Sequence, residues 1–219
     1  GLLACIALAT MFVCSTCAAE TVWLSSLDLT KMSAGWGRPI RDKSVQEKPL
    51  TIAGQKFERG VGTHAASRMY VDLGGGAESF RATVGVDDEV NGNVGSVEFR
   101  VYGDGKLLWR SGVMKVGQAA KPVDLKLTGM DTLLLIVDPA GDVIAYDHAD
   151  WAEARFEVSG VHPKAIAGPY EAPYILTPKP GPRPRINGPT IYGCRPGRPF
   201  IYRIPTTGDR PIAFAAENL

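Results

Sequence analysis

The stretch Val97-Glu98-Phe99-Arg100-Val101-Tyr102-Gly103-Asp104-Gly105-Lys106-Leu107-Leu108-Trp109-Arg110 reads as a β-hairpin. Val97, Phe99 and Val101 alternate with Glu98, Arg100 and Tyr102, which turns the first three inward and the others outward. Gly103-Asp104-Gly105 supplies residues that tolerate positive φ, as a tight connection between antiparallel strands requires. Working outward, Met69, Val71 and Leu73 share one face of 68–73, and Phe80, Ala82, Val84 and Val86 share one face of 80–86. Further strand-like runs lie at 21–24, 50–53, 122–127, 133–137 and 154–158. The run 133–137 is apolar throughout, which suits a central strand covered on both faces. Gly74-Gly75-Gly76 reads as a second tight connection, and lacks the Gly-Lys-Ser/Thr ending of a phosphate loop. Helical signal is confined to one turn near 28–34. The prediction is an all-β, antiparallel sandwich.

Length and composition agree. The chain has 219 residues, of which 45% are hydrophobic, so a real core can be buried. Lys and Arg number 24 against 23 Asp and Glu, and this balance argues against a nucleic-acid partner. Residues 1–19 form an apolar run ending in Cys14-Ser15-Thr16-Cys17-Ala18-Ala19, small residues that suit signal-peptidase cleavage. The reading is a truncated signal peptide, an exported (secreted or periplasmic) protein, and no membrane span in the mature form. Cys5, Cys14 and Cys17 fall in that segment, so Cys194 is left without an internal disulfide partner. Eight prolines between Pro163 and Pro189 indicate an extended spacer over 161–188. A second β pattern, with runs at 190–193, 198–204 and 211–215, opens at 189 and stops at Leu219.

Before the last strand of the sandwich comes Tyr146-Asp147-His148-Ala149-Asp150-Trp151, two carboxylates, a histidine and a tryptophan within six residues. A loop or rim position suits it. Read alone, the cluster fits a sugar site, a metal site or a satisfied polar corner. Zinc or iron finds no His-x-His or His-Glu-x-x-His spacing here.

Several short motifs in order resemble the NPCBM carbohydrate-binding modules, from about Trp23 to Val158. They are Gly35-Trp36-Gly37, Asp42-Lys43-Ser44, Pro49-Leu50-Thr51-Ile52, Arg59-Gly60-Val61-Gly62-Thr63-His64-Ala65, Val71-Asp72-Leu73 and Val84-Gly85-Val86-Asp87. Gly95-Ser96-Val97-Glu98-Phe99-Arg100-Val101, Gly103-Asp104-Gly105-Lys106 and Asp147-His148-Ala149-Asp150-Trp151 complete the set. The resemblance implies a galactose-binding-like jelly roll over 20–160, joined to a secreted glycoside hydrolase similar to α-galactosidases. It also implies galactose-type ligands, a bound calcium ion and, in the tail from 189, the start of an immunoglobulin-like domain. A monomer is expected. The rival reading is an adhesion or scaffold sandwich that binds protein.

Sugar recognition needs an aromatic face for the pyranose ring and polar groups for its hydroxyls. Trp36, flanked by glycines, is the tryptophan expected to be exposed; Trp23 is assigned to the core, and Trp109 can face either way. Trp151 suits either a sugar platform or a core plug. His64 and His148 can each donate and accept, which suits a sugar diol, or can bond a loop carbonyl. His162 is expected to be solvated. The carbohydrate-binding candidates are therefore Trp36, His64, Asp147, His148 and Trp151. For calcium, Asp87 and Asp150 are the candidates, with Asp138, Asp142, Asp147, Asp88 and Glu89 nearby; the rival role for each is capping a turn. No catalytic residue is assigned.

Overall fold

The computed structural model describes residues 19–90, 95–141, 143–169, 180–191, 193–199 and 201–217, in two units that divide at Pro169 and Tyr170. The first unit holds thirteen strands among its described residues. They are β1 (Glu20–Trp23), β2 (Ile40–Arg41), β3 (Leu50–Ile52), β4 (Gln55–Phe57), β5 (Gly60–His64), β6 (Ser67–Asp72) and β7 (Ala77–Val86). Then follow β8 (Ser96–Gly103), β9 (Lys106–Lys115), β10 (Lys121–Lys126), β11 (Thr132–Asp138), β12 (His148–Val158) and β13 (Lys164–Ile166). Two short 3-10 turns, Leu24–Ser26 and Leu29–Lys31, account for the helical signal near 28–34.

One sheet runs β10-β7-β12-β5-β2, and the other runs β13-β6-β11-β8-β9. Every pairing is antiparallel. Long β12 shares one edge between two partners: β5 pairs its first residues, from His148 to Ala152, and β1 pairs its last, from Arg155 to Val158. Between them the register shifts, with Glu153 at φ 47°. The two inner faces meet in an aromatic contact across the sandwich. Trp151 of β12 stands perpendicular to Phe99 of β8 at 5.0 Å between ring centres; Phe80 packs against Trp151, and Phe156 against Phe80. Edge-to-face rings of this kind add about 0.5–1.5 kcal/mol beyond area burial.

The alternation read from sequence is the alternation observed. Val97, Phe99 and Val101 are buried, as are Met69, Val71, Leu73, Phe80, Ala82, Val84 and Val86. Gly103-Asp104-Gly105 is the β8–β9 hairpin, with Asp104 at φ 46° and its carboxylate accepting from the Thr132 N–H at 2.9 Å.

Four expectations are corrected. Gly74-Gly75-Gly76 is no hairpin: it carries the chain from β6 to β7, which lie in opposite sheets. β11 is central in its sheet but covered on one face only, since Leu134 and Ile136 on the outer side are half-buried. Trp23 is not core; it lies half-buried between the guanidinium groups of Arg59 and Arg155. The spacer does not begin at 161, because β13 still pairs with β6.

In the second unit, β14 (Arg185–Ile186) pairs with β15 (Thr206–Thr207). The runs at 190–193, 198–204 and 211–215 are not strands where they are described; Tyr192 and Phe200 lie outside the described residues. So do the apolar segment 1–18 and Asp142. Among the described residues no helix is long and apolar enough to cross a membrane.

Candidate functional site

Antiparallel pairing of β5 with β12 places His64 directly opposite His148 at one end of the first sheet. The ring centres are 5.2 Å apart. Trp36 arrives from the loop before β2 and lies 5.7 Å from the His148 ring and 5.8 Å from the His64 ring, nearly parallel to the former. Gly35 makes this approach possible. Its N–H donates to the His64 carbonyl at 3.1 Å, and a β-carbon there would collide with the Ala65 carbonyl oxygen. Trp36 remains 53% exposed. Across from it, the segment before β12 contributes Ile144, Ala145 and Tyr146, the last at φ 66° and also exposed. With Gln46, these residues enclose a pocket of about 390 Å³. A larger hollow of about 520 Å³ beside Leu27, Arg38 and Arg41 has no aromatic ring in its wall, so it offers a sugar no stacking face.

Both imidazoles are fixed from behind. The Nδ1 of His64 lies 2.6 Å from the Ala65 carbonyl oxygen, and the Nδ1 of His148 lies 2.6 Å from Oε1 of Glu89. Neither partner can donate, so in the neutral rings Nδ1 carries the proton and Nε2 keeps its lone pair. Burial is the largest influence on His64 and pushes it below its ordinary value. The Ala65 hydrogen bond opposes this, and His148 adds to it. Burial alone would raise the Glu89 carboxyl. Donation from His148, from the Ser44 hydroxyl at 2.5 Å and from the Gln46 N–H instead holds it below the usual range.

The cluster Asp147-His148-Ala149-Asp150-Trp151 is split by the pleat, since successive side chains on a strand point to opposite faces. His148 lines the pocket, while Trp151 points the other way, is fully buried and presents no face to a ligand. That expectation is corrected in favour of the core plug. Asp147 is also fully buried; its Oδ1 accepts from the Ser96 N–H at 2.9 Å. Asp138 pairs with Arg100 at 2.8 Å, and exposed His162 contacts Glu20 at 2.9 Å. The sequence offers Glu89 as a metal ligand or a turn cap; its contact with His148 has no local sequence signal. Tyr146 and Gln46 carried none beyond their neighbours.

Asp150 lies between Gly62 of β5 and Gly85 of β7. It is fully buried, and neither oxygen receives a hydrogen bond from a donor group. Desolvation, then a hydrogen bond with Asp87 and the charges of Asp87, Glu89 and Asp88, push it well above the carboxylate range. Asp87 already accepts from the Thr51 N–H at 3.0 Å and the Glu89 N–H at 2.7 Å. A proton shared by Asp150 and Asp87 satisfies the pair; a cation beside them would do the same. Asp88 caps Ala53 and Gly54. Among the described residues no three His, Cys, Asp or Glu side chains converge on one metal position.

Comparison with known proteins places this geometry. Alpha-1,3-galactosidase B of Akkermansia muciniphila is 37% identical over 140 residues, which are 62% of this chain and 17% of that protein. The chain therefore spans about a sixth of that relative's length. A CBM51 module of a Clostridium perfringens GH95 protein, solved with methyl-galactose, is 33% identical with a TM-score of 0.59, over 63% of this chain and 99% of that one. The CBM51-2 and INT domains of Clostridium perfringens ZmpB, solved with GlcNAc, are 30% identical with a TM-score of 0.59, over 64% of this chain and 32% of that one. The NPCBM/NEW2 domain matches residues 20–157. With its galactose-binding-like sandwich and its end-of-sheet pocket, the chain belongs to the NPCBM/NEW2 family of carbohydrate-binding modules.

Proposed function

We propose that residues 20–158 bind a galactose-type monosaccharide unit, without catalysis, in the pocket formed by Trp36, His64, His148, Gln46 and Tyr146. The observation that carries this reading is the pairing of an exposed indole with two imidazoles whose Nε2 lone pairs are free to accept. The indole stacks on the apolar face of the ring, and two sugar hydroxyls donate to the imidazoles. Stacking of about 0.5–1.5 kcal/mol and net hydrogen bonds of about 1 kcal/mol each give dissociation constants from roughly micromolar to millimolar. In an exported parent protein the module would hold a glycoside hydrolase close to galactose-bearing glycans, raising effective concentration through the spacer. The second unit would begin an immunoglobulin-like spacer domain. Titration of methyl-galactose into the chain tests the reading. Trp36→Ala should weaken binding about tenfold with an unchanged melting temperature, and absence of any binding by the unsubstituted chain would end it.

A structural calcium ion beside Asp87 and Asp150 belongs to the same proposal, supported by the two buried carboxylates side by side, with no N–H or hydroxyl donor directed at Asp150. Calcium supplies positive charge to oxygen ligands, of which it takes about 6–8. Melting with and without a chelator tests it; an unchanged transition leaves the shared proton as the explanation.

A further inference from the structure

We infer that His64 and His148 together form a two-histidine site for a borderline divalent transition metal, with Zn2+ as the reference ion. Three observations converge. First, the tautomers are set: each Nδ1 is held at 2.6 Å by an acceptor, Ala65 carbonyl or Glu89 carboxylate, so in the neutral rings Nε2 is the nitrogen with a lone pair to offer a metal. This outer arrangement, an imidazole backed by a carbonyl or carboxylate, is the one that orients and strengthens metal-binding histidines. Second, the spacing fits. With Zn–N of about 2.0–2.1 Å and each ring centre about 1.2 Å behind its nitrogen, tetrahedral bis-imidazole ligation puts the ring centres about 5 Å apart, against 5.2 Å observed. Third, the surroundings favour a cation: the Glu89 carboxylate lies 2.6 Å behind the His148 ring, and Asp87 and Asp88 are on the same loop.

In a five-membered ring Nε2 points away from Nδ1. Each Nε2 is therefore turned away from its ring's acceptor, and the two rings line one pocket. Water would complete the coordination, because among the described residues no third His, Cys, Asp or Glu joins the pair. The metal takes the acceptors that the sugar hydroxyls need, so ion and sugar compete; this last point rests on the sugar reading, whereas metal binding does not.

The test uses the full chain and long-range proton–nitrogen spectra of its histidine rings. One equivalent of Zn2+ should move the Nε2 signals of both His64 and His148, leave their Nδ1 atoms protonated, and leave His162 nearly unchanged. Zinc held by cysteine thiols gives no such signal. Unmoved His64 and His148 signals at a tenfold excess would overturn the site, whatever the chain does with sugar. His64→Gln should weaken the zinc response at His148 at least tenfold, and an undiminished response would also overturn it. Saturating zinc should weaken methyl-galactose binding at least tenfold; equal affinity with and without zinc would overturn the competition.

Discussion

At the scale of single residues, Glu89 shows how a site is prepared. It is nearly enclosed, yet His148, Ser44 and Gln46 give it donors enough to stay ionised. Glu89→Gln keeps the shape but turns an amide N–H2 toward at least one of those donors. We expect a loss of about 1–3 kcal/mol in urea unfolding at pH 7 and weaker sugar binding, because His148 loses its fixed tautomer. The sign with pH follows from the depressed folded value: the Glu89 contribution is complete above the ordinary carboxylate pKa of about 4.3 and is lost as pH falls through the lower folded one. The Glu89→Gln variant should lack this acid slope. His64 is also shifted down, so its contribution to stability is complete above about pH 6.5 and is lost as pH falls through its folded value. Sugar affinity should stay flat through about pH 6.5 and fall only as pH passes through the lower folded value of His64, since a protonated Nε2 no longer accepts. Affinity that rises on acidification would remove the acceptor assignment.

At the scale of elements, two tryptophans mark the core and the candidate site. Trp36 sits on a loop over the sheet end; Trp151 sits on β12, edge-on to Phe99 and fully buried. Trp151→Ala should cost about 3–5 kcal/mol through lost burial and an unfilled cavity. Trp36→Ala should cost less than about 0.5 kcal/mol, as is usual for exposed positions. Thermal melts of the two variants check the contrast; equal destabilisation would place Trp36 in the structure rather than the site. The elements themselves were unevenly legible. β6, β7 and β8 have alternating apolar residues, and a half-buried strand produces that pattern by itself. β5, Gly60-Val61-Gly62-Thr63-His64, has no such alternation because all five residues are buried, including its glycines. The first residues of β12 give no strand signal because their polar side chains are buried against other polar groups, which hydrophobic periodicity does not register.

At the scale of the whole molecule, the near balance of 24 basic and 23 acidic residues has a consequence for the ligand. A neutral sugar held by stacking and hydrogen bonds feels little of the ionic atmosphere. Raising NaCl from about 0.05 to about 0.5 M, which shortens the screening length severalfold, should change the methyl-galactose affinity less than about twofold. A steep loss with salt would point instead to an anionic glycan. The module's own core, two sheets closed on Trp151, Phe99, Phe80 and Phe156, lies within the first unit, and nothing in it depends on a disulfide: Cys194, the described cysteine, is free and exposed.

The amino-acid sequence by itself determined the class and the family: period-two alternation in 68–73, 80–86 and 97–102, the Gly-Asp-Gly turn, and the ordered motifs from Trp23 to Val158. It also singled out Trp36, because a tryptophan between two glycines has little to pack against. Tertiary structure assembled the candidate site. Only the β5–β12 register sets His64 against His148, and only the loop after β7 brings Glu89 behind His148. Alternation is a local property and can be read along the chain. Register and loop placement are agreements between distant segments, and the pleat of β12 then divides one short cluster, sending His148 to the pocket and Trp151 to the core.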